Sequence, residues 1–156
     1  MISLSRSTIR RLKKVPQITS VWEGDRRPFS STSGEDAQEQ NECILWVDAH
    51  EGVVRSMDVV NSQAGPEAVV RTLMRAIESP HNPAKPARPQ KIVVQDREIQ
   101  FYLRGVLQDV DIVIDRVPEL PLIDELFRGF SEVIDDQVPD LPPEYASLLR
   151  DKAFAI

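Results

Sequence analysis

Two acids stand where strands read from the sequence give way to a turn or a helix, Asp48 and Asp96, and two more, Asp124 and Glu125, sit in the helix that follows the last strand. Carboxylates so placed supply the hard oxygen ligands that a divalent ion such as Mg2+ requires, and ions held this way promote phosphoryl transfer. His50 follows the first of them, and Asp115 with Arg116 lies near another strand end. Each acid also has an ordinary structural use. Asp96 falls where a helix N-cap is wanted, a role worth about 1 kcal/mol. Asp124 and Glu125 fall in a first helical turn, where the helix dipole favours negative charge. Other catalytic arrangements are thin: the six glycines form no phosphate-binding loop, two histidines cannot build a three-histidine zinc site, and no GxSxG elbow occurs. The residues alone point to no catalytic group and no cofactor, with a Mg2+ site as the alternative.

These residues depend on a β-α-β-α core from Lys91 to Ile134. Its strands, Lys91–Gln95 and Asp111–Val117, are rich in Ile and Val, which suit a pleated buried surface. Between them a helix places Ile99, Leu103, Val106 and Val110 on one face, with Tyr102 and Leu107 beside it. Upstream, Cys43–Ala49 and Val53–Val60 are strand-length apolar runs separated by His50-Glu51-Gly52, a connector with hairpin chemistry. Pro66 opens a helix with Val69, Val70, Leu73, Ala76 and Ile77 on its buried face. Prolines at 80, 83, 86 and 89 then form a stiff connector with His81 on its surface; their spacing of three also suits a polyproline ligand for an aromatic groove.

The next helix spans Leu122–Ile134 and buries Ile123, Leu126, Phe127, Phe130 and Val133. A connector at 135–143 leads to a last helix with Tyr145, Leu148, Leu149 and Phe154, which stops at Ile156 without a cap, as if the family pattern continued. The resulting order is β-β-α-β-α-β-α plus a C-terminal helix: a small α/β sandwich with a mixed sheet. Acids at these places in this order resemble ribonuclease-H-like nucleases, although that fold opens with three antiparallel strands and the sequence offers two.

Residues 1–41 read differently. Residues 1–27 carry seven Lys or Arg against two acids, while 28–156 carry twelve against twenty-three. An acidic body repels a phosphate backbone, so general nucleic-acid binding is disfavoured. Met1–Lys14 fits a solvated tail, a short basic helix touching an anionic partner, or an Arg- and Ser-rich transit peptide. Val15–Phe29 is too apolar for a linker, and Trp22 is expected to dock on the domain or on a partner. Ser30–Asn41 has linker composition. The reading is therefore a basic arm and linker over 1–41 and an α/β domain over 42–156. Arg10, Arg11, Lys13, Lys14, Trp22, Arg26 and Arg27 are the expected partner contacts. Removing residues 1–29 is expected to leave a folded domain.

At 156 residues with 41% hydrophobic content the chain suits one domain. Its single cysteine, Cys43, excludes an internal disulfide and reads as a buried thiol in a cytoplasmic protein. No apolar run approaches a membrane span.

The run Pro89-Gln-Lys-Ile-Val-Val-Gln-Asp-Arg-Glu-Ile-Gln-Phe-Tyr-Leu-Arg104, then Asp111-Ile-Val-Ile114 and Val117-Pro-Glu-Leu-Pro-Leu-Ile-Asp-Glu125, resembles an uncharacterised bacterial α/β domain family common in cyanobacteria. Arg10-Arg-Leu-Lys-Lys14 and Ser20-Val-Trp-Glu-Gly-Asp-Arg-Arg-Pro28 extend the resemblance. It implies a bacterial, cytosolic setting and no assigned activity, and it weakens the transit-peptide reading. The function expected is non-catalytic protein–protein interaction, against a metal-dependent nuclease-like enzyme or nucleic-acid binding through the arm.

Overall fold

In the computed structural model, which describes residues 4–29 and 41–136, the chain runs α1 (Arg6–Lys14), β1 (Gln17–Phe29), β2 (Asn41–Asp48), β3 (Val53–Asn61), α2 (Glu67–Glu78), β4 (Arg88–Val94), α3 (Arg97–Val106), β5 (Val113–Arg116) and α4 (Pro121–Asp136). The five strands form one mixed sheet in the order β3-β2-β1-β4-β5. β1 is antiparallel to β2 and parallel to β4, and β4 is parallel to β5. The expected α/β class and the β2–β3 hairpin are found. Gly52 takes the positive φ of 70° that lets the hairpin turn.

The main correction concerns residues upstream of Glu42. What reads as arm and linker contains α1 and the central strand of the sheet, so the domain begins well before Glu42. Leu12 and Trp22 are fully buried. β1 escapes a pattern search because Glu23, Asp25, Arg26, Arg27 and Pro28 interrupt its apolar content, and central strands are usually recognised by apolar runs. Its charges are tolerated because Glu23, Arg26 and Arg27 each meet a partner from a distant segment and Asp25 pairs with Arg27 on the same strand.

Both sheet faces are covered, which explains why β2 is continuously apolar from Cys43 to Val47. Ile44 and Trp46 point into a cluster with Leu12, Trp22, Leu73, Ile77, Ile92 and Leu103, under α1, α2 and α3. Cys43, Leu45 and Val47 point the other way, against Leu120 and Ile123 with Leu126 and Phe127 of α4 packed alongside. Each fully buried aliphatic side chain is worth roughly 1.5–3 kcal/mol relative to exposure. Gly24 is required at one close approach: a Cβ there would meet the Trp46 ring.

α1 is seated by Leu12, Ile9 and Val15 and capped by Ser5, whose Oγ accepts from the Thr8 amide at 3.2 Å. Its carboxyl end is held by buried Arg88, which donates to the carbonyls of Val15 at 3.2 Å, Lys13 at 3.4 Å and Val110 at 2.8 Å. α3 ends at Val106, sooner than the periodicity predicts, yet Leu107 and Val110 remain buried in the turn that follows. In the proline-spaced connector the His81 amide donates to the Arg55 carbonyl at 3.0 Å, fastening that segment to β3. The expected last helix and the connector from residue 137 onward lie outside the described residues, as do the side chains of Phe130 and Val133.

Candidate functional site

Strand direction decides which acids can meet. β2 runs antiparallel to β1, so its carboxyl end lies toward the amino end of β1 and β4. Asp48 sits opposite Trp22, whereas Asp96 follows Val94, which sits opposite Gly24. Four residues of offset at a strand rise of 3.3 Å separate them by about 13 Å along the strands alone. Asp124 and Glu125 belong to α4, on the other face. The fold does not bring the four sequence-derived metal candidates together, and among the described residues no group of three or more His, Cys, Asp or Glu is arranged to hold a metal ion.

Each well-placed acid has a structural bond instead. Asp48, 1% exposed, accepts from the amides of His50 at 2.9 Å and Glu51 at 3.2 Å, closing the hairpin. Asp96 caps α3, accepting from the amides of Glu98 at 2.7 Å and Ile99 at 3.1 Å. Asp115 pairs with Lys91 at 2.9 Å. Glu125 is exposed.

The fold assembles a different cluster, which the acids singled out by sequence missed apart from Asp124. On the α4 face, Glu23, Asp25 and Arg27 alternate along β1 and meet α4. The Arg27 guanidinium donates to Asp25 at 2.8 Å, pairs with Asp124 at 2.5 Å and lies 5.3 Å from the Phe127 ring centroid. Glu23, nearly buried, accepts from the amides of Ile123 at 3.0 Å and Leu122 at 3.4 Å. It caps α4 from across the sheet, placing its charge at the positive helix end. Burial pushes its carboxyl above the usual range, against the pull of those two amides and of Arg27. Burial opposes the charge on Arg27, but Asp25 and Asp124 more than offset it and hold its pKa above the ordinary value. The period-two alternation of charge from Glu23 to Arg27 is the signal that could have revealed this face.

The expected partner contacts divide. Trp22 is fully buried beneath the Arg55 guanidinium, 4.4 Å from its ring. Arg26 is committed internally, to Glu42 at 2.8 Å and to the carbonyls of Ala64 at 2.7 Å and Gly65 at 3.1 Å. Arg27 is engaged as described. Trp22 thus takes the first of its two expected places, on the domain, and Arg26 and Arg27 are engaged internally instead of facing a partner, because a central strand has both faces covered. Arg11 pairs with Glu78 at 2.5 Å. Arg10, Lys13 and Lys14 are exposed and form no ion pair among the described residues. Cys43 is buried, and burial pushes its thiol up to about 12, which keeps it protonated and inert.

A family model described as a domain of unknown function, DUF6930, matches residues 8–131. No curated protein sequence matches. Among solved structures, the dimeric form of the HTLV-2 integrase catalytic core domain in complex with magnesium is similar at 15% identity, with 90% of this chain and 86% of that one covered and a TM-score of 0.50. The trimeric form gives 16% identity, 90% and 84% coverage, and a TM-score of 0.49. The first of these likenesses shows the fold, a ribonuclease-H-like arrangement whose third antiparallel strand, absent from the sequence reading, is β1.

Proposed function

We propose that this chain, which belongs to the DUF6930 family of unknown function, is a non-catalytic domain that binds a protein partner through the outer face of α1. One observation carries the first half: the acids nearest a sheet-end site are spent on backbone amides or on Arg27. A carboxylate that caps a helix or neutralises a guanidinium would have to surrender that bond to bind a metal ion. The second half is supported by α1, where Arg6, Arg10, Lys13 and Lys14 share one face at helical spacing. Arg88 and the buried Leu12 hold that helix in place, so little ordering entropy opposes docking of an acidic protein surface.

The test has two arms. Melting the full chain with and without millimolar Mg2+ and Mn2+ is expected to show no metal-dependent rise. A rise abolished by Asp96→Asn or Asp124→Asn would return the acids to a phosphoryl-transfer role and overturn the reading. In the second arm, Arg10→Glu/Lys13→Glu/Lys14→Glu is expected to keep the wild-type melting temperature and lose the proteins that the wild type captures. Undiminished capture would refute the α1 surface. Capture of nucleic acid instead, falling steeply with salt, would identify the arm as a phosphate contact.

A further inference from the structure

Three helices cover one face of the sheet, and among the described residues α4 is the single helix on the other. Its first turn is held at Glu23, and Asp124 and Phe127 meet Arg27, so α4 runs along β1 from the level of Glu23 past that of Arg27. Over that length the sheet continues to one side only. β4 and β5 end at Val94 and Arg116, level with Gly24, whereas β3 runs on to Asn61, level with Phe29 through Asn41.

The flank beside α4 is therefore β3. Met57 and Val59 sit opposite Leu45 and Cys43, so they point to the α4 face. Met57 is half-buried, and Val59 is 47% exposed. On the opposite face of the same strand α2 is already in place: the Ser56 hydroxyl donates to the Thr72 carbonyl at 2.8 Å, and Asp58 pairs with Arg75 at 2.8 Å. One face of this edge strand is thus covered, and its apolar other face is open beside α4.

The chain itself carries a segment that fits this flank. Residues 137–156, outside the described residues, follow α4 directly, at the level where Val59 lies. Within them Pro139, Pro142 and Pro143 mark a connector, and Tyr145, Leu148, Leu149 and Ile156 then fall within about 100° of one helical stripe, with Phe154 the one large apolar side chain off it. Seven connector residues reach up to about 23 Å, more than the roughly 8–10 Å between packed helix axes. A helix over 144–156 is about 20 Å long, the length of β3 from Val53 to Val59.

We infer that residues 144–156 dock as a helix antiparallel to α4, with Tyr145, Leu148, Leu149 and Ile156 turned toward Met57 and Val59. A second copy or a partner protein could offer similar apolar chemistry, but a short tether holds the chain's own segment near the flank at an effective concentration of about the millimolar range. The inference is independent of the α1 surface, and the two fail separately.

The test is amide hydrogen exchange followed by mass spectrometry on the full chain. In the wild type the amides of 145–156 should exchange at least about tenfold more slowly than in an unstructured peptide of the same sequence. Val59→Asp should remove that protection while the amides of α2 stay protected. Val113→Asp, at an exposed position on β5 beyond the end of α4, should leave both unchanged. Should Val59→Asp also deprotect α2, Leu149→Asp takes its place, with release of 145–156 and a protected α2 expected. Absence of protection in the wild type, protection that survives both Val59→Asp and Leu149→Asp, or loss of protection in Val113→Asp would each overturn the inference. So would protection that fades on dilution together with a dimer mass by light scattering, which would make a second copy the occupant.

Discussion

Replacing Arg27 by Met removes the cation from Asp25 and Asp124 while keeping much of the side-chain bulk. Breaking a fully buried pair costs about 3–5 kcal/mol, and an exposed pair contributes roughly 0–1 kcal/mol. The side chains of Arg27, Asp25 and Asp124 are 21%, 9% and 39% exposed. The Asp25 contact therefore lies toward the buried limit and the Asp124 contact toward the exposed one. Adding the lost Phe127 contact, about 0.5–1 kcal/mol, gives a destabilisation of about 2–3 kcal/mol, or roughly 4–12 °C for a domain of this size. The assay is thermal unfolding by circular dichroism of wild type, Arg27→Met, Asp25→Asn and the double variant. Asp25→Asn should recover part of the loss in the Arg27→Met background, since a neutral amide needs no counter-charge, and the cycle gives the coupling directly. A single variant melting within about 1 °C of wild type would refute the structural role of the cluster. A larger Mn2+-induced rise in Arg27→Met than in wild type would show instead that the guanidinium stands in a latent cation site.

Three further outcomes follow from the same geometry. Deleting residues 1–29 removes the central strand and two fully buried side chains, Leu12 and Trp22, so the remainder should show no cooperative melt; a sharp transition would restore the domain start at Glu42. Gly24→Ala drives a methyl into the Trp46 ring and should cost about 1–3 kcal/mol by denaturant titration; an unchanged midpoint would mean that the ring moves freely. Glu23 has its carboxyl raised by burial, so the native state holds that proton more tightly than the unfolded chain does. The stability attached to it is full below the unfolded value and is lost as pH rises through the folded one. The melting temperature of wild type minus that of Glu23→Gln should accordingly fall across the acid range, and a flat difference would refute the assignment.

Much of this protein is readable residue by residue. Apolar runs bounded by turn residues mark β2, β3 and β4, and helical spacing marks the buried faces of α2, α3 and α4, because each of those elements buries a face whose pattern is local. Asp96 is legible as a cap for the same reason: its partners are two and three residues away. β1 is not legible. Its charges are stabilised by α4, by Glu42 and by the carbonyls of Ala64 and Gly65, none of them near in sequence. A window around Trp22 shows a charged apolar segment; only the assembled sheet makes it the centre of the fold. The same holds for the chemistry. Residue types predicted carboxylates at strand ends, but an antiparallel β2 carries Asp48 away from Asp96, and side-chain alternation on β1 brings Glu23, Asp25 and Arg27 to α4. Local composition determined which groups exist, while strand direction and pairing across the sheet decided which of them meet.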